Sequence, residues 1–350
     1  MRGPPGHIQE FIGCRATNQF YASNLRRPTR HLKDSDIGAG STLKKKTTPR
    51  KTKKREDEMS PLCSFDDFKD VRDIGTGAFA RVFHGVESPS NRNVALKRIN
   101  LTELDTDSVL YASVKNEVNI LKSLSHPNIV KYFYSFEEVR QGVKYVVLVL
   151  EYVNGGDLEK WLKRKTNNHR LLLPEADIWR VFTQIADAVQ YIHTKRIIHR
   201  DLKPPNVLLT TEDIVKLADF GLSRQQKAES FAETVCGTPY YMSPERILEE
   251  SYTTKADIWS LGCILYEMAT LRSPFFGEKD NISSLTQKIR HAEYPPLPNR
   301  CCYTEQLELL VHLCLNPMYS ARPSAVDVHR MAAKMAGHWG VGGGGATTSK

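Results

Sequence analysis

The strongest chemical signal in the sequence is a pair of polar motifs. The run HRDLKPPN occupies residues 199–206, and the run DFG begins thirteen residues after Asn206. A carboxylate such as Asp201 can orient an attacking hydroxyl group and accept its proton, while the side-chain oxygens of Asn206 and Asp219 suit Mg²⁺ ions that bridge and neutralise phosphates. Chance assembly of both motifs in this order is remote. The pair therefore predicts phosphoryl transfer from ATP, with Mg²⁺.

A glycine-rich run between two strand-like stretches is a weaker signal. Such a hairpin can close its backbone over phosphates. A dinucleotide-binding turn would open a helix, whereas here VFHGV (82–86) continues as a strand, which disfavours that alternative. Ala80 replaces the third glycine of G-x-G-x-x-G, which predicts a slightly stiffer loop. The residues assigned to ATP are Ile74, Gly75, Thr76, Gly77, Ala78, Phe79, Ala80, Arg81 and Val82.

A lysine and a glutamate complete the charged candidates. The strand-like run VALK (94–97) supplies Ala95 to the nucleotide site and places Lys97 where its charge can meet the α- and β-phosphates. Glu117, in the helical period that follows, can pair with Lys97 and hold it in place. Each alone would be an ordinary surface charge, but beside the motif of Asp201 both are catalytic candidates.

The hydrophobic pattern changes along the chain. Short alternating runs such as NVALKRIN (93–100) and YVVLVLEYV (145–153) give way to long helical periods such as residues 172–195. A strand-rich part thus precedes a helix-rich part. This order predicts an α+β fold in two lobes, not the regular strand and helix alternation of a doubly wound sheet.

Charge and composition disfavour several other classes. The formal charge is +9, but residues 1–58 hold 14 Lys and Arg against 6 Asp and Glu, so the rest has no strong basic bias and nucleic-acid binding is disfavoured. No window reaches the roughly 18 apolar residues of a membrane span, and the start lacks the apolar core of a secretory signal. Seven scattered cysteines without a CxxC pair favour reduced thiols, so we expect a protein of the cytosol or nucleus.

Both ends of the chain are predicted to be disordered tails. Residues 1–64 are polar and basic, and the run KKKTTPRKTKKR (44–55) has eight basic residues in twelve. That run is either a solvated stretch of charge or a nuclear-import or anionic-surface patch, and both interpretations stay open. Residues 335–350 are rich in glycine and lack any periodicity that could pack.

Between the tails, from about residue 68 to residue 331, the chain resembles the NIMA-related (Never-In-Mitosis-A) serine/threonine protein kinases. GTPYYMSPE (237–245) carries the resemblance, together with KADIWSLGCILYEMATLRSPFFGEKDN (255–281) and AEYPPLP (292–298). The layout is similar to that of the short members, which are mostly catalytic domain, although many of those read DLG in place of DFG.

The resemblance implies a bilobal protein kinase fold. It would have a β-rich N-lobe with one main helix (65–150), a hinge (151–154) and a larger helical C-lobe (155–334). The roles given above to the two polar motifs are those of the general kinase scheme. In that scheme Lys203 contacts the transferred phosphate. The alternative is that Lys203 is an ordinary loop lysine. Structural roles are implied for Asp257 and for a buried pair of Glu245 with Arg322, and Thr238 would brace the catalytic loop.

The resemblance also implies how the adenosine is held. Leu150 would be the gatekeeper residue, and Glu151 to Val153 would form the part of the hinge that hydrogen-bonds adenine through its backbone. Asp157 would touch the ribose, but a capping role at the start of a helix explains this residue equally well.

Regulation is partly implied. Phosphorylated Thr234 would supply the anionic partner of Arg200 and order its loop after the action of an upstream kinase, and Ser230 lies in the same segment. The alternative is an exposed hydroxyl without a role. The ring of Tyr132 is expected to pack in the regulatory apolar stack. Alternatively, its hydroxyl turns into the active site and holds an inactive state until a partner binds the small lobe.

Two other functions stay open. A pseudokinase scaffold would predict loss of Lys97, Asp201, Asn206 or Asp219, and all four are present. A binder of nucleic acid or microtubules through the basic tail would lose binding, but not kinase activity, when residues 1–58 are deleted. For a kinase the partners are protein substrates, and family resemblance suggests work at the mitotic spindle or centrosome.

Overall fold

The computed structural model describes nine stretches of the chain: residues 64–76, 80–88, 90–101, 109–166, 172–220, 239–248, 253–277, 282–298 and 302–340. Several candidates from the sequence lie outside these stretches, namely Gly77, Ala78, Phe79, Ser230, Thr234 and Thr238. The strands are β1 (Phe68–Thr76), β2 (Ala80–Glu87), β3 (Arg92–Asn100), β4 (Tyr132–Arg140), β5 (Val143–Glu151), β6 (Val207–Leu209) and β7 (Val215–Leu217). The helices are α1 (Val109–Ser123), α2 (Leu158–Thr166), α3 (Glu175–Thr194), α4 (Pro244–Ile247), α5 (Thr254–Thr270), α6 (Ile282–His291), α7 (Glu305–Cys314) and α8 (Ala325–His338).

The N-terminal lobe is an antiparallel sheet of five strands in the order β1-β2-β3-β5-β4, with α1 as its helix. Alternation along β3 gives each face of the sheet a different task. Val94 and Leu96 are buried with Phe83 on one face. On the other face Ile99 joins Val114 of α1 in the larger core, and Lys97 lies on this same face. The pleat therefore aims Lys97 away from the outer aromatic layer and towards α1.

The C-terminal lobe is built around α5. Thirteen of its seventeen residues are buried, which identifies it as a central helix because a surface helix has one apolar face only. Thr253 caps its first turn by accepting a hydrogen bond from the amide of Lys255. The long helix α3 packs against α8, which extends to His338, past the boundary at residue 334 predicted from the sequence. Within the described stretches no helix has the length and apolar character of a membrane crossing.

This arrangement confirms the predicted α+β fold in two lobes. A strand-rich half precedes a helix-rich half, and within the latter β6 and β7 form a separate two-stranded hairpin after α3. The polar motifs flank that hairpin, since Asn206 precedes β6 and Asp219 follows β7. The fold thereby brings the two predicted metal ligands to one end of a single hairpin.

A partly buried carboxyl group of α5 contacts the short segment Pro239–Tyr241. Glu267 accepts a hydrogen bond of 2.5 Å from the hydroxyl of Tyr241. Burial raises the pKa of Glu267 from 4.5 to about 7, although the bond from Tyr241 works in the opposite direction. Glu267 is thus an acid that is protonated in the folded protein at pH values where it is ionised in the unfolded chain.

Glu267 makes stability depend on pH in a defined window. Between pH 4.5 and about 7 the unfolded chain loses this proton while the folded protein keeps it, so the free energy of unfolding falls as pH rises. We expect Glu267→Gln to lack this contribution to the pH dependence. The Tm of the variant should therefore rise relative to that of the wild type as the pH increases from 5 to 7.5. Differential scanning calorimetry of both proteins measures it, with the exposed Glu308→Gln as control. A constant Tm difference across the window would contradict the assignment.

Candidate active site

A lysine between two carboxylates joins the lobes. Lys97 on β3 donates to Glu117 Oε1 on α1 at 3.0 Å and also contacts Asp219 after β7. Glu117 lies on the same helical face as the core residues Val114 and Leu121, which explains why α1 presents it inward. Lys97 is 7% exposed and Glu117 is 1% exposed. The two lobes thus meet at a buried ammonium group.

The protonation states of this triad follow from burial and charge. Burial alone would lower the pKa of Lys97, but the charges of Asp219 and Glu117 outweigh it and raise that pKa well above its ordinary value. The attraction of Lys97 lowers the pKa of Asp219. Burial raises the pKa of Glu117 in spite of Lys97. Lys97 is therefore a fixed positive charge, as a binder of phosphate oxygens must be.

The predicted base lies in a braced loop. Asp201 Oδ2 accepts from Asn206 Nδ2 at 2.9 Å and pairs with Lys203 Nζ at 2.8 Å. Asn206 Nδ2 also donates to the backbone carbonyl of Asp201 at 2.8 Å. Because both bonds to the side chain use Oδ2, the other oxygen has no partner within the described stretches and can accept the proton of a hydroxyl group. The structure brings these three sequence candidates into direct contact.

A buried aspartate of α5 supports this loop from below. Asp257 accepts from the amides of His199 at 2.9 Å and Arg200 at 3.0 Å, and it bonds His193 Nε2 at 2.8 Å. Burial opposes its ionisation, but the bonds and charge of His193 hold the pKa of Asp257 below its ordinary value. Arg200 has a φ of 73°, and its carbonyl accepts from Arg246 at 2.8 Å. These bonds hold a strained backbone next to Asp201.

Asn206 and Asp219 offer oxygen donors for a divalent cation. The backbone amide of Ala218 donates to the carbonyl of Asn206 at 2.9 Å, which holds the two ends of the hairpin together. Asn206 uses its amide nitrogen on Asp201, which leaves the amide oxygen for a metal. Mg²⁺ in ATP sites is bound by one or two such side chains and by the phosphates, so this donor set fits it.

Several of the nucleotide candidates lie on the face of the sheet that carries Lys97. In the register Val82 is opposite Lys97 and Ala95 is opposite Leu150, so their side chains share one face. Ile74, Gly75 and Thr76 end β1, and the amide of Gly75 is held by Asp73 Oδ1 at 3.0 Å. Arg81 turns outward to an exposed ion pair with Asp73. The contacts of these residues with ATP stay a prediction.

Two ambiguous candidates have defined contacts. Asp157 Oδ1 accepts from the amide of Lys160 at 2.8 Å and so caps α2, which supports the capping interpretation. The hydroxyl of Tyr132 lies 2.9 Å from Ser135 Oγ on the same strand, and its ring packs against the core. In this conformation the hydroxyl is bonded within β4. Glu151 ends β5, and Val153 follows it in a segment without regular secondary structure.

Sequence reasoning missed several supporting residues. His193 and Arg246 brace the catalytic loop, Asp73 braces the glycine run, and Lys216 pairs with Glu151. Each of these contacts joins segments without a local pattern that predicts the pairing, except that Asp73 lies two residues before Gly75. A short polar residue at that spacing commonly bonds to the backbone, so it was the one detectable signal.

Comparison with known proteins places the whole arrangement in one family. Residues 68–332 match the protein kinase domain. The probable serine/threonine-protein kinase nek2 of Dictyostelium discoideum is 37% identical over 269 residues, 75% of this chain and 62% of the relative. Human Nek10 is 36% identical over 282 residues, with 78% and 23% covered.

Coverage differs among the relatives. The chain spans less than two thirds of those two proteins. It covers 71% of the kinase nekl-2 of Caenorhabditis elegans, at 36% identity over 268 residues and 74% of this chain. The matched region contains Lys97, Glu117, Asp201, Asn206 and Asp219. The chain therefore belongs to the protein kinase family, in its NIMA-related serine/threonine branch.

Proposed function

We propose that this chain is an active serine/threonine protein kinase that transfers the γ-phosphoryl group of Mg-ATP to protein hydroxyls. The observation that carries the proposal is the contact of the buried Lys97 with both Glu117 and Asp219, because it joins the phosphate-binding lysine to a metal ligand of the other lobe. Mg²⁺, when bound, would neutralise charge on the phosphates.

Each side chain has a role in this proposal. Lys97 binds phosphate oxygens as a fixed charge, and Glu117 keeps it in place. Asp201 orients the substrate hydroxyl and takes its proton, and Lys203 stabilises charge on the transferred group. Asn206 and Asp219 would hold the metal. Transfer to serine or threonine is supported by Lys203, whose position after the base is that of the serine/threonine branch.

A phosphorylation assay tests the proposal. The full chain is incubated with labelled ATP, Mg²⁺ and a degenerate peptide library, beside Asp219→Ala. We expect label on Ser and Thr peptides with the wild type and a loss of about 10²-fold or more with the variant, because the variant lacks a metal ligand. A wild type that binds nucleotide but transfers no label would identify a pseudokinase scaffold instead.

The proposal extends to regulation and place of action. We infer that phosphorylated Thr234 pairs with Arg200, whose backbone is already held by Asp257. The upstream kinase, a partner of the small lobe and a role at the spindle, centrosome or microtubules rest on family resemblance. If Thr234→Ala, purified from its native cell with the loop shown to be unmodified, keeps full activity, the inferred role of Thr234 is wrong.

A further inference from the structure

The β6–β7 hairpin contacts both ends of the segment proposed to bind adenine. This hairpin carries Asn206 before its first strand and Asp219 after its second strand. The hinge, residues 151–154, connects β5 with the C-terminal lobe. One short element therefore touches the adenine-binding segment and also carries the two predicted metal ligands.

The first end of the hinge is held by side chains. Lys216 Nζ on β7 lies 2.7 Å from Glu151 Oε1 and 3.0 Å from Oε2. Glu151 Oε2 also accepts from the amide of Lys131 at 3.1 Å, and the amide of Glu151 donates to the carbonyl of Lys131 at 2.8 Å. The side chains of Lys216 and Glu151 are 15% and 27% exposed, so solvent screens this pair only in part.

The second end is held mainly by backbone. The amide of Gly155 donates to the carbonyl of Leu209 at 2.9 Å, and the amide of Leu209 donates to the carbonyl of Gly156 at 2.8 Å. A Cβ atom at Gly155 would lie 2.4 Å from the carbonyl oxygen of Leu209, so this close approach requires glycine. Asn154 and Thr211 add a reciprocal pair at 3.1 and 3.3 Å. At this end, substitution of a single side chain would not remove the connection.

We propose that Lys216 is a positioning residue that couples the adenine-binding hinge to the metal-binding end of the β6–β7 hairpin. The proposal rests on the proposed function, because it assumes that the hinge binds adenine and that Asn206 and Asp219 bind the metal. Without Lys216, Glu151 loses its charged partner and keeps the amide of Lys131 as a donor. Its side chain then turns towards water, which loosens the end of β5 from the hairpin. The hinge and the metal ligands then no longer hold one geometry for Mg-nucleotide.

Direct nucleotide binding tests this coupling without depending on turnover. The dissociation constant of a fluorescent ATP analogue is measured for the full chain with Mg²⁺ and with EDTA, in the wild type, Lys216→Met and Lys216→Arg. The matched control is Lys144→Met, which removes a lysine that pairs with Glu137 at 3.1 Å on exposed parts of β4 and β5.

We expect Lys216→Met to bind the Mg-nucleotide about tenfold more weakly, as for loss of a charged hydrogen bond. The gain in affinity that Mg²⁺ gives should shrink in this variant. Lys216→Arg should restore both values to within about threefold, since it keeps the charge. The control should match the wild type. A purely structural role would lower Tm but leave the gain from Mg²⁺ unchanged, and that result would overturn the proposal.

The outcomes separate this proposal from the proposed function. If the wild type binds Mg-nucleotide but transfers no phosphate, activity fails while the coupling is still measured by binding. If the gain from Mg²⁺ is the same in Lys216→Met as in the wild type, the coupling is wrong and the kinase assignment is unaffected. A wild type that binds no nucleotide overturns both.

Discussion

Asp201→Asn is expected to lower kcat by about 10²- to 10⁴-fold, which is the usual contribution of a positioned general base. The amide can still accept the hydrogen bond from Asn206 Nδ2, so the loop should keep its shape. It cannot take a proton from the substrate, and it removes the charge that pairs with Lys203. Because the nucleotide contacts lie elsewhere, KM for ATP should change little. Steady-state kinetics with a peptide found in the library assay measures both constants.

The control for this variant is an aspartate without access to the site. Asp327→Asn changes an exposed residue in the first turn of α8, where Asp327 bonds the amide of Ser324 at 3.4 Å. It makes the same chemical change and should leave kcat and KM at wild-type values. If Asp201→Asn retained more than about a tenth of the wild-type kcat, Asp201 would be a structural residue and another group would take the proton.

The contacts within the candidate site were largely predictable, because the motifs lie close together in the chain. Asp201 and Asn206 are five residues apart, and the structure joins them by a direct bond of 2.9 Å. The pairing of Lys97 with Glu117 spans twenty residues and could be predicted only because a strand and a helical period positioned them. Periodicity also predicted the two lobes, since alternation and the helical period differ clearly on the two sides of the hinge.

The supports of the site could not be predicted in the same way. Lys216 and Glu151 are 65 residues apart, and no sequence pattern around either residue predicts that they pair. The raised pKa of Glu267 depends on how far its carboxyl group is removed from solvent in α5, a helix with buried residues on all sides whose sequence does not show the depth of each acid. From the sequence, the hydroxyl of Tyr132 could bond to a residue of β4 or turn into the active site. The structure shows its bond to Ser135. Such contacts depend on tertiary packing, which composition and spacing do not encode locally.

Arg322→Met is expected to be the most destabilising change, at about 3–5 kcal/mol, because it leaves a buried carboxylate without its partner. Arg322 donates to both oxygens of Glu245, at 2.7 and 2.8 Å, and its side chain is fully buried. It also donates to the carbonyls of Asn316, Lys255 and Pro317 at 2.7, 3.0 and 3.2 Å. Loss of this one guanidinium group therefore removes a hydrogen-bond donor from several acceptors at once.

The Tm of Arg322→Met should fall by on the order of 10 °C in a domain of this size. The exposed pair of Arg330 with Asp327 provides the control, and Arg330→Met should change stability by less than about 0.5 kcal/mol. Calorimetry of both variants at neutral pH measures the difference. A fall for Arg322→Met no larger than that of the control would show that the buried pair contributes little.

The double variant Glu245→Met/Arg322→Met separates the two sources of this cost. Replacing both partners removes the uncompensated carboxylate, so the double variant should be more stable than Arg322→Met alone. It should still be less stable than the wild type, because three backbone carbonyls lose the donor that Arg322 supplies. Full recovery would assign the whole effect to the ion pair, and no recovery would assign it to the carbonyls. We expect partial recovery, since Arg322 connects the α4 residue Glu245 with the loop between α7 and α8 through both kinds of contact.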